Sequence, residues 1–178
     1  MKALLAALAA LVVVTASTPL TAQPLDRENT LLLELRCGVV TIALRPDLAP
    51  LHVERIKVLT RQGFYNGIVF HRVIAGFMAQ TGDPTGTGRG GSPLPNLPAE
   101  FSPEPYVRGV VGMARTANPN SGNSQFFIMF APAPSLNGQY TVWGMVTDGM
   151  DCVDQINRGE PPLVPDRILS ARIAADGP

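Results

Sequence analysis

Phe70-His-Arg-Val-Ile-Ala-Gly-Phe-Met-Ala-Gln-Thr-Gly-Asp83 is the stretch on which the fold turns. With Ile68 and Val69 ahead of it, the run to Ile74 is rich in β-branched and aromatic residues and reads as a strand. Gly76 interrupts it, and Phe77 to Gln80 resumes an extended run. Taken singly, these side chains are ordinary. A lone arginine on a strand usually faces solvent, which is the plain reading of Arg72. Phe77 and Met78 would be core residues and Gln80 a surface polar.

Upstream, Leu31, Leu33 and Leu35 alternate with Leu32, Glu34 and Arg36, and Val40, Ile42 and Leu44 alternate with Thr41, Ala43 and Arg45. The period of two predicts two strands with a tight turn at Cys37-Gly38. Pro50 suits the first turn of a helix, where its missing N–H costs nothing; Val53, Ile56 and Leu59 then recur at helical spacing and Gly63 is a natural stop. Downstream, Gly82 to Pro105 is a long loop dense in Gly and Pro. Its Gly86-Thr-Gly-Arg-Gly-Gly91 run is no phosphate loop, because Pro93, Pro95 and Pro98 deny it the helix that must follow. Val110–Ala114, Gln125–Met129 and Thr141–Val146 read as short strands, with a turn at Asn137-Gly138. Met150–Arg158 reads as a short helix and Ile168–Ile173 as a closing strand. Many short strands with one early and one late helix predict a mainly β domain, a closed barrel or sandwich, spanning residues 30–178.

The chain has 178 residues, the size of one domain, and a formal net charge of zero. No basic field is available, so nucleic acid is not an expected partner. Residues 1–22 differ from the rest. Lys2 precedes the apolar run Ala3 to Val14, and small and polar residues follow from Thr15 to Gln23, the pattern of a secretory signal peptide. The apolar run is shorter than the ~20 residues a membrane span requires. Cleavage after Ala22, or at Ala16, would leave 23–29 as a short tail and deliver the protein to the periplasm or the medium.

Cys37 and Cys152 are the only cysteines. An oxidising compartment would permit a bridge, but the plainer reading is two separate thiols. Together with His52 and His71 they lack metal-ligand spacing, so neither a metal nor a cofactor is expected. No Gly-x-Ser-x-Gly or comparable nucleophile arrangement supports hydrolase chemistry.

The stretch from Phe70 to Asp83 resembles the central signature of the cyclophilins, a family of peptidyl-prolyl isomerases. Met113-Ala-Arg-Thr116 followed by Asn123-Ser-Gln-Phe-Phe-Ile128 resembles the family's other signature block, in the right order, and the resemblance runs from about Leu31 to Ile173. It implies an eight-stranded antiparallel barrel, closed and capped by two α-helices. It places Arg72 at the catalytic position and Phe77, Met78, Phe127 and Leu136 in the proline pocket. Gln80 falls where a polar residue holds the arginine and the substrate backbone, Ala114, Arg115 and Gln125 lie along the peptide groove, and His71 is adjacent to it. Tyr140 stands where a histidine is common and could still wall the pocket. Ser135 stands where many members carry tryptophan, so weak cyclosporin binding is expected. The implied partners are proline-containing polypeptides, met by a monomer.

The chemistry suits these residue types. Isomerisation of an X-Pro bond takes tens to hundreds of seconds unaided, against a barrier of about 18–20 kcal/mol set by amide resonance. Lowering that barrier by roughly 7 kcal/mol brings turnover into the enzymatic range. No covalent step is needed, only stabilisation of a twisted amide whose nitrogen has regained its lone pair. A guanidinium is always charged and offers fixed donors to that nitrogen, while Phe and Met provide apolar faces for the ring. A chaperone-like or partner-binding module on the same groove, and a hollow ligand-carrier barrel, are the competing expectations.

Overall fold

The computed structural model describes residues 26–177, so the expected signal segment lies outside the described residues. Each segment expected to be extended contains a strand, several with shifted ends: β1 (Thr30–Leu35), β2 (Gly38–Leu44), β3 (Arg72–Ile74), β4 (Met78–Thr81), β5 (Val110–Met113), β6 (Phe126–Met129), β7 (Val142–Asp148) and β8 (Ser170–Ile173). They make one eight-stranded sheet in the order β3-β4-β6-β5-β7-β2-β1-β8. Every pairing is antiparallel. Among the described residues two α-helices accompany it, α1 (Pro50–Arg61) and α2 (Met150–Val153).

The sheet curls until its edges meet, but β3 and β8 share no ladder. Isolated hydrogen bonds close the seam: Gly67 N–H to Ile168 O at 2.7 Å, Ile168 N–H to Ile68 O at 2.9 Å and Phe70 N–H to Asp166 O at 2.9 Å. Residues 68–70, expected to continue the strand of Arg72, serve as this bridge instead. The facing segment carries Pro161, Pro162 and Pro165, which have no N–H to donate, so a continuous ladder cannot form there.

The interior is filled, which removes the hollow carrier. Leu31, Leu33, Val40 and Ile42 point inward from β1 and β2, and α1 covers one end with Val53, Ile56 and Leu59. Phe126 packs edge-on against Tyr65 at 5.6 Å and against Trp143 at 5.3 Å. Helix α1 begins after Ala49, whose side chain cannot cap it. Glu100, from the long loop, does so instead, accepting from the Leu51 and His52 amides at 3.1 and 3.0 Å and meeting His52 Nδ1 at 2.6 Å.

Two expectations are corrected. Helix α2 stops at Val153 rather than Arg158. From there the backbone bonds tighten, Gln155 N–H to Cys152 O and Ile156 N–H to Val153 O, and the Arg158 guanidinium takes the Ile156 and Asp154 carbonyls. The two cysteines are not separate thiols: Cys37 and Cys152 form a disulfide with Cα atoms 5.6 Å apart, joining the β1–β2 turn to the start of α2. Their separation of 115 residues in sequence hid a contact that the curled sheet creates.

Candidate active site

Every residue of β6 is buried, because both faces of that strand are covered. Phe126 and Ile128 enter the main core, while Phe127 and Met129 join a second cluster outside the sheet with Met78 and Tyr106. Tyr106 stacks on Phe127 at 5.8 Å, and Tyr140 meets the same ring edge-on at 5.7 Å. Gly112 on β5 leaves room for this packing, since a Cβ there would stand 2.7 Å from Phe127 Cζ.

A recess of about 220 Å³ opens beside Phe127. Strand β3 contributes Arg72, the β3–β4 turn and β4 contribute Phe77, Met78 and Gln80, and the end of β5 leads into Ala114 and Arg115. Leu136, on the short 3₁₀ turn Pro134–Leu136, and Tyr140 complete the wall. Arg115 lies over the Tyr140 ring at 4.4 Å and donates to Gln139 O, so the cation fixes one side of the opening.

A second recess, about 500 Å³, adjoins the first through Gln80, Ala114 and Arg115. Gln125 lies here rather than in the apolar recess, and it links the two: Gln80 Nε2 donates to Gln125 Oε1 at 2.9 Å and Gln125 Nε2 to Gly90 O at 2.8 Å. His71 lines neither recess. It is 6% exposed, beneath Gly88, with neither ring nitrogen hydrogen-bonded among the described residues. Burial pushes its pKa down, with the Asp83 charge opposing.

Around Arg72 the sequence reading missed one partner. Arg72 Nε donates to Glu160 Oε2 at 2.7 Å, whereas Gln80 Oε1 stands 3.5 Å from Nη1. Glu160 lies 88 residues further along the chain, in a loop with no motif to flag it.

The loop bordering the larger recess is tied to Asp83, which is 1% exposed. Its carboxylate accepts from the Thr85 amide and hydroxyl at 2.7 Å each, from Gly88 N–H at 2.6 Å and from Gly90 N–H at 3.2 Å. Burial pushes the carboxyl up, but the Thr85, Gly90 and Gly88 hydrogen bonds outweigh it and bring the pKa down to about 2. A group depressed from 3.8 in this way stabilises the fold fully above the unfolded value and ceases to do so as pH falls toward 2. Asp83→Asn is expected to be less stable at neutral pH by about 2 kcal/mol, the gap narrowing between pH 4 and pH 2. Urea midpoints across that range measure it, and a pH-independent gap would contradict the assignment.

Among the described residues no His, Cys, Asp and Glu cluster could hold a metal, and no helix is long and apolar enough to cross a membrane. The site is thus an apolar recess on the outer face of a curled antiparallel sheet, with a guanidinium on its wall. Residues 30–173 match the family described as cyclophilin type peptidyl-prolyl cis-trans isomerase/CLD. A probable peptidyl-prolyl cis-trans isomerase of Brucella suis is 55% identical over 186 residues, covering 96% of this chain and 95% of that one. A crystal structure of a cyclophilin from Hirschia baltica superposes with a TM-score of 0.80 at 32% identity, over 86% of this chain and 76% of the other. A Cryptosporidium parvum cyclophilin solved in the presence of the dipeptide Ala-Pro gives 0.75 at 30% identity, over 81% and 98%. The chain belongs to the cyclophilin family and is a peptidyl-prolyl cis-trans isomerase of that type.

Proposed function

We propose that the apolar recess holds the proline ring of a client chain and that Arg72 donates to the imide nitrogen as the X-Pro amide twists. The observation that carries this is one of placement: Arg72 lines the same recess as Phe77, Met78 and Phe127. In the planar amide the nitrogen lone pair is delocalised and accepts poorly. In the twisted state it is localised, so a guanidinium hydrogen bond there favours the transition state over the ground state. Gln80 and Ala114 border both recesses, which suits a polypeptide lying across them with its backbone against the amides of Gln80 and Gln125.

The clients we propose are exported proteins whose folding waits on proline isomers, met by a monomeric enzyme. Two features support export: the signal-like pattern of residues 1–22, and the Cys37–Cys152 bond, which is at home in an oxidising compartment.

The test is magnetisation exchange between the cis and trans proline signals of an Ala-Pro peptide, read by NMR with catalytic protein. The expected result is accelerated exchange accompanied by shifts at Phe77, Met78 and Phe127. Exchange with those resonances unmoved would place the reaction elsewhere, and binding without exchange would leave a peptide-docking module. Cyclosporin is expected to inhibit weakly. Ser135 is small and exposed beside Leu136, so Ser135→Trp is expected to tighten inhibition by about tenfold in a titration. Tight inhibition of the unmodified protein would overturn that expectation.

A further inference from the structure

We infer that Glu160 is a positioning residue for Arg72, its carboxylate holding the guanidinium by Nε so that the Nη groups are left for the twisted amide. The inference rests on the role proposed for Arg72 and adds to it a residue from outside both signature blocks.

The placement follows from the seam of the barrel. Val73 and Gly159 exchange both backbone hydrogen bonds, Val73 N–H to Gly159 O at 2.8 Å and Gly159 N–H to Val73 O at 2.9 Å. One step away on each strand, antiparallel pairing sets Arg72 opposite Glu160 at a non-hydrogen-bonded position, where side chains come closest. Val73 is 1% exposed and points into the core, so its neighbour Arg72 points outward. Gly159 lets the loop fold back on itself just after Glu160: at φ +148° a Cβ there would stand 2.5 Å from Pro162 Cα and 2.8 Å from Pro161 O. The carboxylate is thus delivered by backbone geometry, and the 2.7 Å contact is the outcome.

The contact changes what Arg72 can do. An arginine carries about 2 kcal/mol of rotamer entropy when free, and a guanidinium that must search for the amide nitrogen loses part of its effect. Gln80, the partner expected from the family pattern, is too distant at 3.5 Å from Nη1 to supply the restraint alone. Glu160 engages Nε only, and Gln80 limits Nη1 from the opposite side while itself held by Gln125. Both members of the ion pair are substantially exposed, at 41% and 51%, so the pair contributes little to folding. Its effect belongs to turnover.

The experiment measures kcat and KM on an Ala-Pro peptide, with thermal midpoints, for wild type, Glu160→Ala, Glu160→Gln and each of these changes in an Arg72→Ala background. Glu160→Ala is expected to lower kcat by about fivefold to tenfold with KM and midpoint near wild type. Glu160→Gln keeps an oxygen acceptor for Nε and is expected to recover most of that loss. In the Arg72→Ala background neither change has a further effect. An undiminished kcat for Glu160→Ala, or an equal loss without Arg72, would overturn the inference. If Arg72→Ala alone retained full activity, the proposed role of Arg72 would fail first. A crippled Arg72→Ala beside an unaffected Glu160→Ala would remove only the role of Glu160.

Discussion

Replacing Arg72 by alanine is expected to lower kcat/KM on an X-Pro peptide by about 10²–10³-fold, the usual cost of removing one preorganised donor from a transition state. The loss should fall on kcat. In the proposed mechanism the Nη donors would meet a good acceptor only when the imide nitrogen has regained its lone pair, whereas ring binding would depend on the recess residues Phe77, Met78 and Phe127, which the substitution leaves in place. Folding should be unaffected, because the Arg72 side chain is 41% exposed and an exposed ion pair is worth about 1 kcal/mol at most. Arg72→Lys sharpens the test. It keeps the charge but loses the planar fork, and an ammonium cannot hold Glu160 and face the recess at once, so most of the loss should persist. Stopped kinetics of cis-to-trans conversion with all three proteins decides the matter. Equal rates for wild type and Arg72→Ala would end the proposed mechanism.

The two parts of the site differ in how far the sequence discloses them. Met78, Gln80 and Phe127 sit on strands paired in register, Gln80 opposite Phe127 and Arg72 opposite Gln80, with Phe77 in the turn just before Met78, so a motif that fixes the strands also gathers these side chains. Leu136 and Tyr140 arrive on a loop and still line the recess, Leu136 as the resemblance implies and Tyr140 in place of the histidine common there. His71 is the exception on the strand side. Immediately before β3 the chain serves the seam, and the imidazole is buried beneath the loop at Gly88 instead of reaching the groove.

What was not legible depends on contacts between segments far apart in sequence. The capping of α1 by Glu100 spans 49 residues, and nothing near Ala49 signals it. Glu160 meets Arg72 only because the proline-bearing loop bridges the seam, an outcome of how far the sheet curls rather than of local periodicity. The overextended reading of α2 has a similar cause: Val153 and Ile156 keep apolar spacing, but the carbonyls beyond Val153 are claimed by Arg158. Hydrophobic pattern reports which face is buried. It does not report which donor reaches a carbonyl first.

The Cys37–Cys152 bond carries the largest expected effect on stability. Its two ends are 115 residues apart, so it removes more unfolded-state entropy than a short-range link would, about 4.7 kcal/mol by the loop-closure estimate and about 2–5 kcal/mol from the range seen on removing native disulfides. The Cys37→Ser, Cys152→Ser double variant is expected to unfold at correspondingly lower urea. Reductant should shift the wild-type midpoint toward the variant's and leave the variant's unmoved. Isomerase turnover at low temperature should be the same in both. The bond lies at the β1–β2 turn and the start of α2, and neither cysteine lines either recess. A wild-type midpoint indifferent to reductant would mean that the thiols remain apart in the folded protein, and would withdraw one of the two supports for an exported enzyme.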